Sequence, residues 1–154
     1  MKIIIFSEWV KMCKIIEIKL RKILKETHIY LIVGKTDNKF DNLQKFRDDN
    51  YNSILICSDC LSYGFNIPEV DILIHYDLSF SPAKIEQRIG RADRMNRTNG
   101  SLLVFNLLIK DSIEDRVVEL LMGKQAMFST VVEGQNSFNT AGILRELFGR
   151  KGKV

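Results

Sequence analysis

Arg88, Arg91, Arg94 and Arg97 stand within the twelve residues from Glu86 to Arg97, and they are the densest chemistry in the chain. An α-helix turns once every 3.6 residues, so Gln87, Arg91 and Arg94 share one of its faces. Gly90 keeps that face low enough for a ligand to approach the backbone. Each guanidinium is a planar fork that donates two parallel hydrogen bonds and keeps its charge, which suits phosphate oxygens. The alternative for the same residues is a solvated basic helix face.

Other reactive residue types are sparse. The chain has three cysteines, Cys13, Cys57 and Cys60. Cys57-Ser58-Asp59-Cys60 has C-x-x-C spacing, but no second pair or histidine cluster completes four metal ligands, so no metal site is expected. His28 and His75 are isolated and read as structural. The sequence contains neither a G-x-x-x-x-G-K-[ST] phosphate loop nor an Asp-Glu pair of the magnesium-binding kind.

Positioning the arginines requires a scaffold, and the hydrophobic pattern supplies one. Ile3 to Phe6 is a continuous β-branched and aromatic run, the pattern of a strand buried on both faces. Ser7 is expected to cap a helix with Cys13, Ile16, Leu20 and Ile23 inward and lysines outward. Strands are expected at residues 29–33, 54–57, 72–76 and 102–105, with a helix over 37–48 through Phe40, Leu43 and Phe46. Ser81-Pro82 opens the arginine helix as a cap followed by proline at the first helical position. Asp111 and Glu114 resemble a capping box ahead of a long helix with Ile113, Val117, Leu120, Leu121, Met127, Phe128 and Val131 inward. A short helix is expected at residues 143–148.

Strands alternating with helices predict a three-layer α/β/α sandwich with a parallel sheet. Ligands collect at the carboxyl ends of such strands. Ser7, Ser58 and the arginine helix all follow strands, so they are expected to share that edge. With 154 residues the chain fits one core, and a net charge of +4 does not by itself identify a nucleic-acid binder. Met1 runs into Lys2 and a short strand, and no apolar run approaches membrane-spanning length. A cytoplasmic setting, or a nuclear one in a eukaryote, is expected, with no membrane partner.

Gln-x-x-Gly-Arg-x-x-Arg at residues 87–94 resembles motif VI of the superfamily 2 helicases and translocases. Ile3 to Trp9 is similar to the motif IV strand of Swi/Snf-type ATPases. Ser58 to Asn66 resembles motif V, Val70 to Asp77 the strand between motifs V and VI, and Ser112 to Arg116 with Lys124, Phe128 and Val131-Val132-Glu133-Gly134 a helix bracing two lobes. The chain departs from the pattern at Leu61, Ser62 and Tyr63, where smaller or acidic residues are common, and at Phe80, where tryptophan is common.

The resemblance implies the second RecA-like lobe of a DNA-dependent ATPase, spanning residues 1–134 with the brace helix, and a tail over 135–154. It implies that Arg91 and Arg94 reach the γ-phosphate of ATP, with Gln87 orienting them and Gly64, Asn66 and Gly90 lining the nucleotide. Ser7, Lys35, Thr36, Ser58 and Asn66 are expected to grip the sugar-phosphate backbone of DNA, double-stranded and with little sequence preference. ATP and magnesium would be held mainly by an N-terminal helicase lobe outside this chain, acting as partner in cis or in trans. A stand-alone nucleic-acid-binding or regulatory module is one rival. A small doubly wound nucleotide-binding enzyme is another, but it should carry a glycine-rich turn where Ser7-Glu8-Trp9 stands.

Overall fold

The run from Ile3 to Phe6 forms the middle of the sheet, as continuous apolarity demands. In the computed structural model β1 (Lys2–Phe6) lies between β3 (Ser53–Cys57) and β4 (Ile72–His75). Beyond them lie β2 (His28–Ile32) and β5 (Leu103–Asn106), giving the order β2-β3-β1-β4-β5 with every pair parallel. The structure describes residues 1–34, 37–59, 66–93 and 101–110, together with Ser112, Glu114, Val118 and Leu121.

Alternate residues of the inner strands feed two cores. Ile4, Phe6, Leu55, Cys57 and Leu73 point to one face, where they meet Leu43 and Phe46 of α2 (Lys39–Asp48), Ile67, Val70 and Ala92 of α3 (Pro82–Ala92). Ile5, Ile54, Ile56 and Ile29 point to the other, against Cys13 and Ile16 of α1 (Val10–Ile23). Helices on both faces of a parallel sheet make the three-layer α/β/α sandwich expected. Each fully buried aliphatic side chain contributes about 2 kcal/mol to holding these layers together.

Several local expectations are corrected. Ser7 does not cap α1; Trp9 holds that position, because the Ser7 hydroxyl is drawn to Asp77 on the neighbouring strand end. Phe40 is 71% exposed. Residues 40, 43 and 46 are three apart, so each step drifts about 60° around the helix and Phe40 leaves the face that Phe46 occupies. Ile23, the last residue of α1, is exposed too. Ser81 stands at the N-cap of α3 with Pro82 behind it, but its side chain makes no cap hydrogen bond. β5 is not buried on both faces: Leu103 and Phe105 face outward.

Asp111, Ile113, Val117, Leu120, Met127, Phe128, Val131 and the tail helix at 143–148 lie outside the described residues. Among the described residues there, Glu114 N–H donates to Ser112 Oγ at 3.1 Å and its carboxylate accepts from Ile109 N–H at 2.6 Å. Leu121 and Val118 pack on Leu78, Ile85 and Ile89, so this part of the chain covers the outer flank of α3.

Candidate nucleotide and nucleic-acid interface

Three strand ends and one helix meet at the carboxyl edge of the sheet. Ser7 continues the ladder past β1, its N–H donating to Cys57 O at 3.1 Å, and Ser58 does the same past β3, donating to Ile32 O at 3.2 Å. The Ser7 hydroxyl donates to Asp77 Oδ2 at 2.5 Å, and Asp77 Oδ1 accepts from Glu8 N–H at 2.7 Å. Asp77 therefore fixes the turn leaving β1. Both serines are buried, so in this conformation neither hydroxyl faces solvent.

The helix α3 starts at this edge and, as the crossover from β4 to β5, runs back antiparallel to the strands. Lys84 in its first turn lies 3.4 Å from Glu8 and 3.3 Å from Asp59. The hydrogen bond to Asp59 and the two negative charges hold the Lys84 ammonium above its ordinary range. One turn on, Arg88 is buried at 3% exposure. Its Nε donates to Asp59 Oδ1 at 2.9 Å, and Nη2 lies 2.7 Å from the same oxygen without being aligned for a hydrogen bond. Nη1 donates to Asp77 O at 3.2 Å, and the guanidinium lies 5.5 Å from the centre of the Phe6 ring.

Arg88 thus leaves the solvated face to which a uniform basic helix would assign it. Its position is legible in retrospect: it falls three residues after Ile85 and four before Ala92, on the buried stripe of α3. An arginine there needs an acid, and Asp59 supplies it. The pairing was missed because Asp59 is 29 residues away in sequence.

The expected residues lie outside that buried stripe, with Arg91 at its margin. Gln87 and Gly90 are exposed and Arg91, one turn from Gln87, is half-buried. A Cβ built on Gly90 would meet nothing within 4 Å, so this face is open to an approaching ligand. Arg91 lies about 10 Å further along the helix axis than Lys84, so it is away from the carboxyl edge that Ser7 and Ser58 occupy. Its backbone carbonyl accepts from Ile67 N–H at 2.7 Å, which brings exposed Asn66 beside the end of α3. Lys35, Thr36, Gly64, Arg94 and Arg97 lie outside the described residues.

His75, fully buried at the end of β4, is neutral at ordinary pH. Burial pushes its pKa down to about 4, and the nearby Arg88 charge adds to the effect against the hydrogen bond to Asn106. Its Nδ1 lies 2.7 Å from Asn106 Oδ1, leaving Nε2 without a hydrogen-bond partner among the described residues. Cys57 is buried in the core and Cys60 is not described. Among the described residues no cluster of three or more His, Cys, Asp or Glu could hold a metal ion. No helix among them is long and apolar enough to cross a membrane.

A separate open cavity of about 550 Å³ is lined by His28, Tyr30, Asp41, Gln44, Lys45, Asp48, Asp49, Asn50 and Tyr51. Three aspartates against one lysine make it hostile to phosphate. Inside it Asp49 Oδ2 lies 2.8 Å from His28 Nδ1 and accepts from the Tyr30 hydroxyl at 2.9 Å, and burial and the Asp49 carboxylate push Tyr30 up to about 12.

Comparison with known proteins gives the family and the fold. The family model described as "Helicase conserved C-terminal domain" matches residues 1–96. Among curated proteins, the "Uncharacterized ATP-dependent helicase YqhH" of Bacillus subtilis is 32% identical over 79 residues, 51% of this chain and 14% of that protein. The "ATP-dependent RNA helicase dbp7" of Emericella nidulans is 39% identical over 79 residues, 51% of this chain and 10% of that protein. Its namesake in Schizosaccharomyces pombe is 31% identical over 96 residues, 57% of this chain and 13% of that protein. The chain spans about one eighth of the length of these relatives. The crystal structure of the C-terminal part of the Fun30 ATPase domain superposes with a TM-score of 0.71 at 23% identity, over 95% of this chain and 45% of that one. That likeness establishes the fold.

Proposed function

Since the chain belongs to the family of helicase conserved C-terminal domains, we propose that it is the second motor lobe of a nucleic-acid-dependent ATPase. Arg91, with Arg94, supplies positive forks to the phosphoryl group being transferred, and Gln87 orients them. The observation that carries this reading is the division of α3 into two stripes. Arg88 is buried and paired on one, while Gln87 and Gly90 are exposed on the other with half-buried Arg91 at its margin, and nothing fills the space over Gly90.

Arginines so placed stabilise charge that develops only in the transition state, an effect worth about 10³-fold or more in turnover. ATP and magnesium are held mainly by a first lobe; the absence of a phosphate loop from this sequence supports that division. The chain alone therefore hydrolyses nothing. Residues around the strand ends, Ser7, Lys35, Thr36, Ser58 and Asn66, grip the nucleic-acid backbone, and closure of the two lobes on ATP moves the grip along the strand. With their hydroxyls buried, that of Ser7 on Asp77, Ser7 and Ser58 serve by shaping their turns.

The substrate is duplex DNA with little sequence preference, in the manner of Swi/Snf-type translocases; the motif IV-like stretch from Ile3 to Trp9 and the motif V-like stretch from Ser58 to Asn66 support this reading. A second reading, an RNA helicase lobe, is favoured by the names of the dbp7 relatives. Joining this chain to the first lobe of a helicase relative and measuring ATP turnover with DNA and with RNA decides between them. Stimulation by DNA alone is expected. Stimulation by RNA alone transfers the chain to the second reading, and no turnover with either favours a binding or regulatory module.

A further inference from the structure

Lys11, Ile15, Ile18 and Lys22 are spaced four, three and four residues apart in α1, so they fall within about 60° of arc, on the side opposite Cys13 and Ile16. All four are exposed, Ile15 at 49% and Ile18 at 54%. That spacing is the seam along which one helix packs on another. Lys14 and Lys19 flank the two isoleucines, one on either side, where such a seam carries the charges that select its partner.

The charge of the chain is concentrated on the same helix. α1 holds five of the 23 basic residues and one of the 19 acidic ones, so its surplus equals the net charge of +4 for the whole chain. Glu17 is committed to Arg21 at 2.9 Å. Among the described residues no ion pair reaches Lys11, Lys14, Lys19 or Lys22. Helix stability does not call for this arrangement. Lys11 stands in a first turn without an acid, against the helix dipole, and Lys11 with Lys14 and Lys19 with Lys22 are like charges one turn apart. Isoleucine on an exposed face is also a poorer helix former than alanine or leucine.

We propose that the outer face of α1 docks a helix of a partner protein, one with apolar residues along its own seam and glutamate or aspartate beside them. The isoleucine pair sets the register, while carboxylates opposite Lys14 and Lys19 fix the orientation and relieve the repulsion among the lysines. A second copy of this chain is a poor occupant, because lysines would face lysines. A nucleic-acid backbone would use the lysines and leave both isoleucines in water. The stripe also runs about 16 Å along α1, away from the carboxyl edge at which that helix starts. With two apolar seam positions the contact is small and belongs to the transient class.

The test uses the chain itself, labelled with nitrogen-15, and three probes. One is a synthetic helix of about three heptads with leucine at the seam and glutamate at the flanking positions. The second has the same composition in scrambled order, and the third is a short DNA duplex of mixed sequence. The ordered peptide is expected to shift the amide signals of residues 11–22, and the scrambled one to bind at least about tenfold more weakly. Ile15→Ser combined with Ile18→Ser, shown to be folded by its amide spectrum, should weaken the ordered peptide by about tenfold or more. If that variant does not fold, Lys14→Glu combined with Lys19→Glu carries the comparison: it should reject the acidic peptide and accept one with lysine in place of glutamate. Equal binding of the ordered and scrambled peptides, or undiminished binding of the ordered peptide by either folded variant, means attraction by charge alone and overturns the seam. Shifts over residues 11–22 with DNA rather than with the peptide assign the face to nucleic acid and overturn it too, as does no shift with any probe. None of these outcomes bears on the role of Arg91.

Discussion

Removing one partner of a buried ion pair is far costlier than removing a less buried charge, so Arg88 and Arg91 should respond differently to alanine. Arg88→Ala is expected to cost about 3 kcal/mol of stability, moderated by the partial exposure of Asp59, because it strands a carboxylate at the sheet edge. Arg91→Ala, at a half-buried position, should cost clearly less, about 1 kcal/mol in urea unfolding. A second residue-scale consequence concerns His75, whose pKa of about 4 lies below its ordinary value of 6.5. Above pH 6.5 both folded and unfolded histidine are neutral; below it only the unfolded form takes up the proton, so stability falls with pH. Between pH 6.5 and 5 the loss attributable to His75 is about 2 kcal/mol, and His75→Leu should flatten that part of the stability profile. The sequence marked Gln87, Gly90 and Arg91 because their spacing is local. It passed over Arg88, Asp59 and Asp77 because a buried ion pair is made across the fold.

At the scale of the element, α3 is a compromise between a good helix and a usable one. Gly90 sits in its interior, where glycine is about 1 kcal/mol worse than alanine, and nothing fills the space where a Cβ would go. Gly90→Ala should therefore raise the stability of the isolated chain by roughly 0.5 to 1 kcal/mol in chemical denaturation. Joined to a first lobe, the same variant should lose turnover, because the added methyl stands where the phosphate chain approaches. A stabilised variant that keeps full turnover would remove the reason for the glycine. Helix and strand identities were legible because β1 and β3 are unbroken apolar runs and α1 has strong apolar periodicity. The caps were not: Ser7 has the right residue type for an N-cap, yet Asp77 on a neighbouring strand competes for its hydroxyl more strongly than the helix does. Phe40 shows the matching limit for periodicity, since three-residue steps stay on one face only briefly.

At the scale of the whole molecule, the chain has the fold of a helicase C-terminal domain. Parallel topology follows from alternating strands and helices, and the central place of β1 from its unbroken apolarity. The exposed outer face of β5 did not follow, because Leu103 and Phe105 are as apolar as any core residue and only the sheet order places them at an edge. With a net charge of +4 and half a groove, nucleic-acid binding should be weak and should fall steeply between low and moderate salt, as released counterions require. Tight binding that salt leaves unchanged would mean that the grip does not run through phosphates. The most direct test of the central claim is ATP turnover by the chain joined to a first lobe, with Arg91, Arg94 and Arg97 replaced one at a time by alanine and nucleic-acid affinity measured alongside. Loss of about 10³-fold or more for Arg91 and Arg94, with affinity nearly intact and Arg97 nearly silent, is the predicted result. Small and equal losses at all three positions would contradict it and leave only a basic helix.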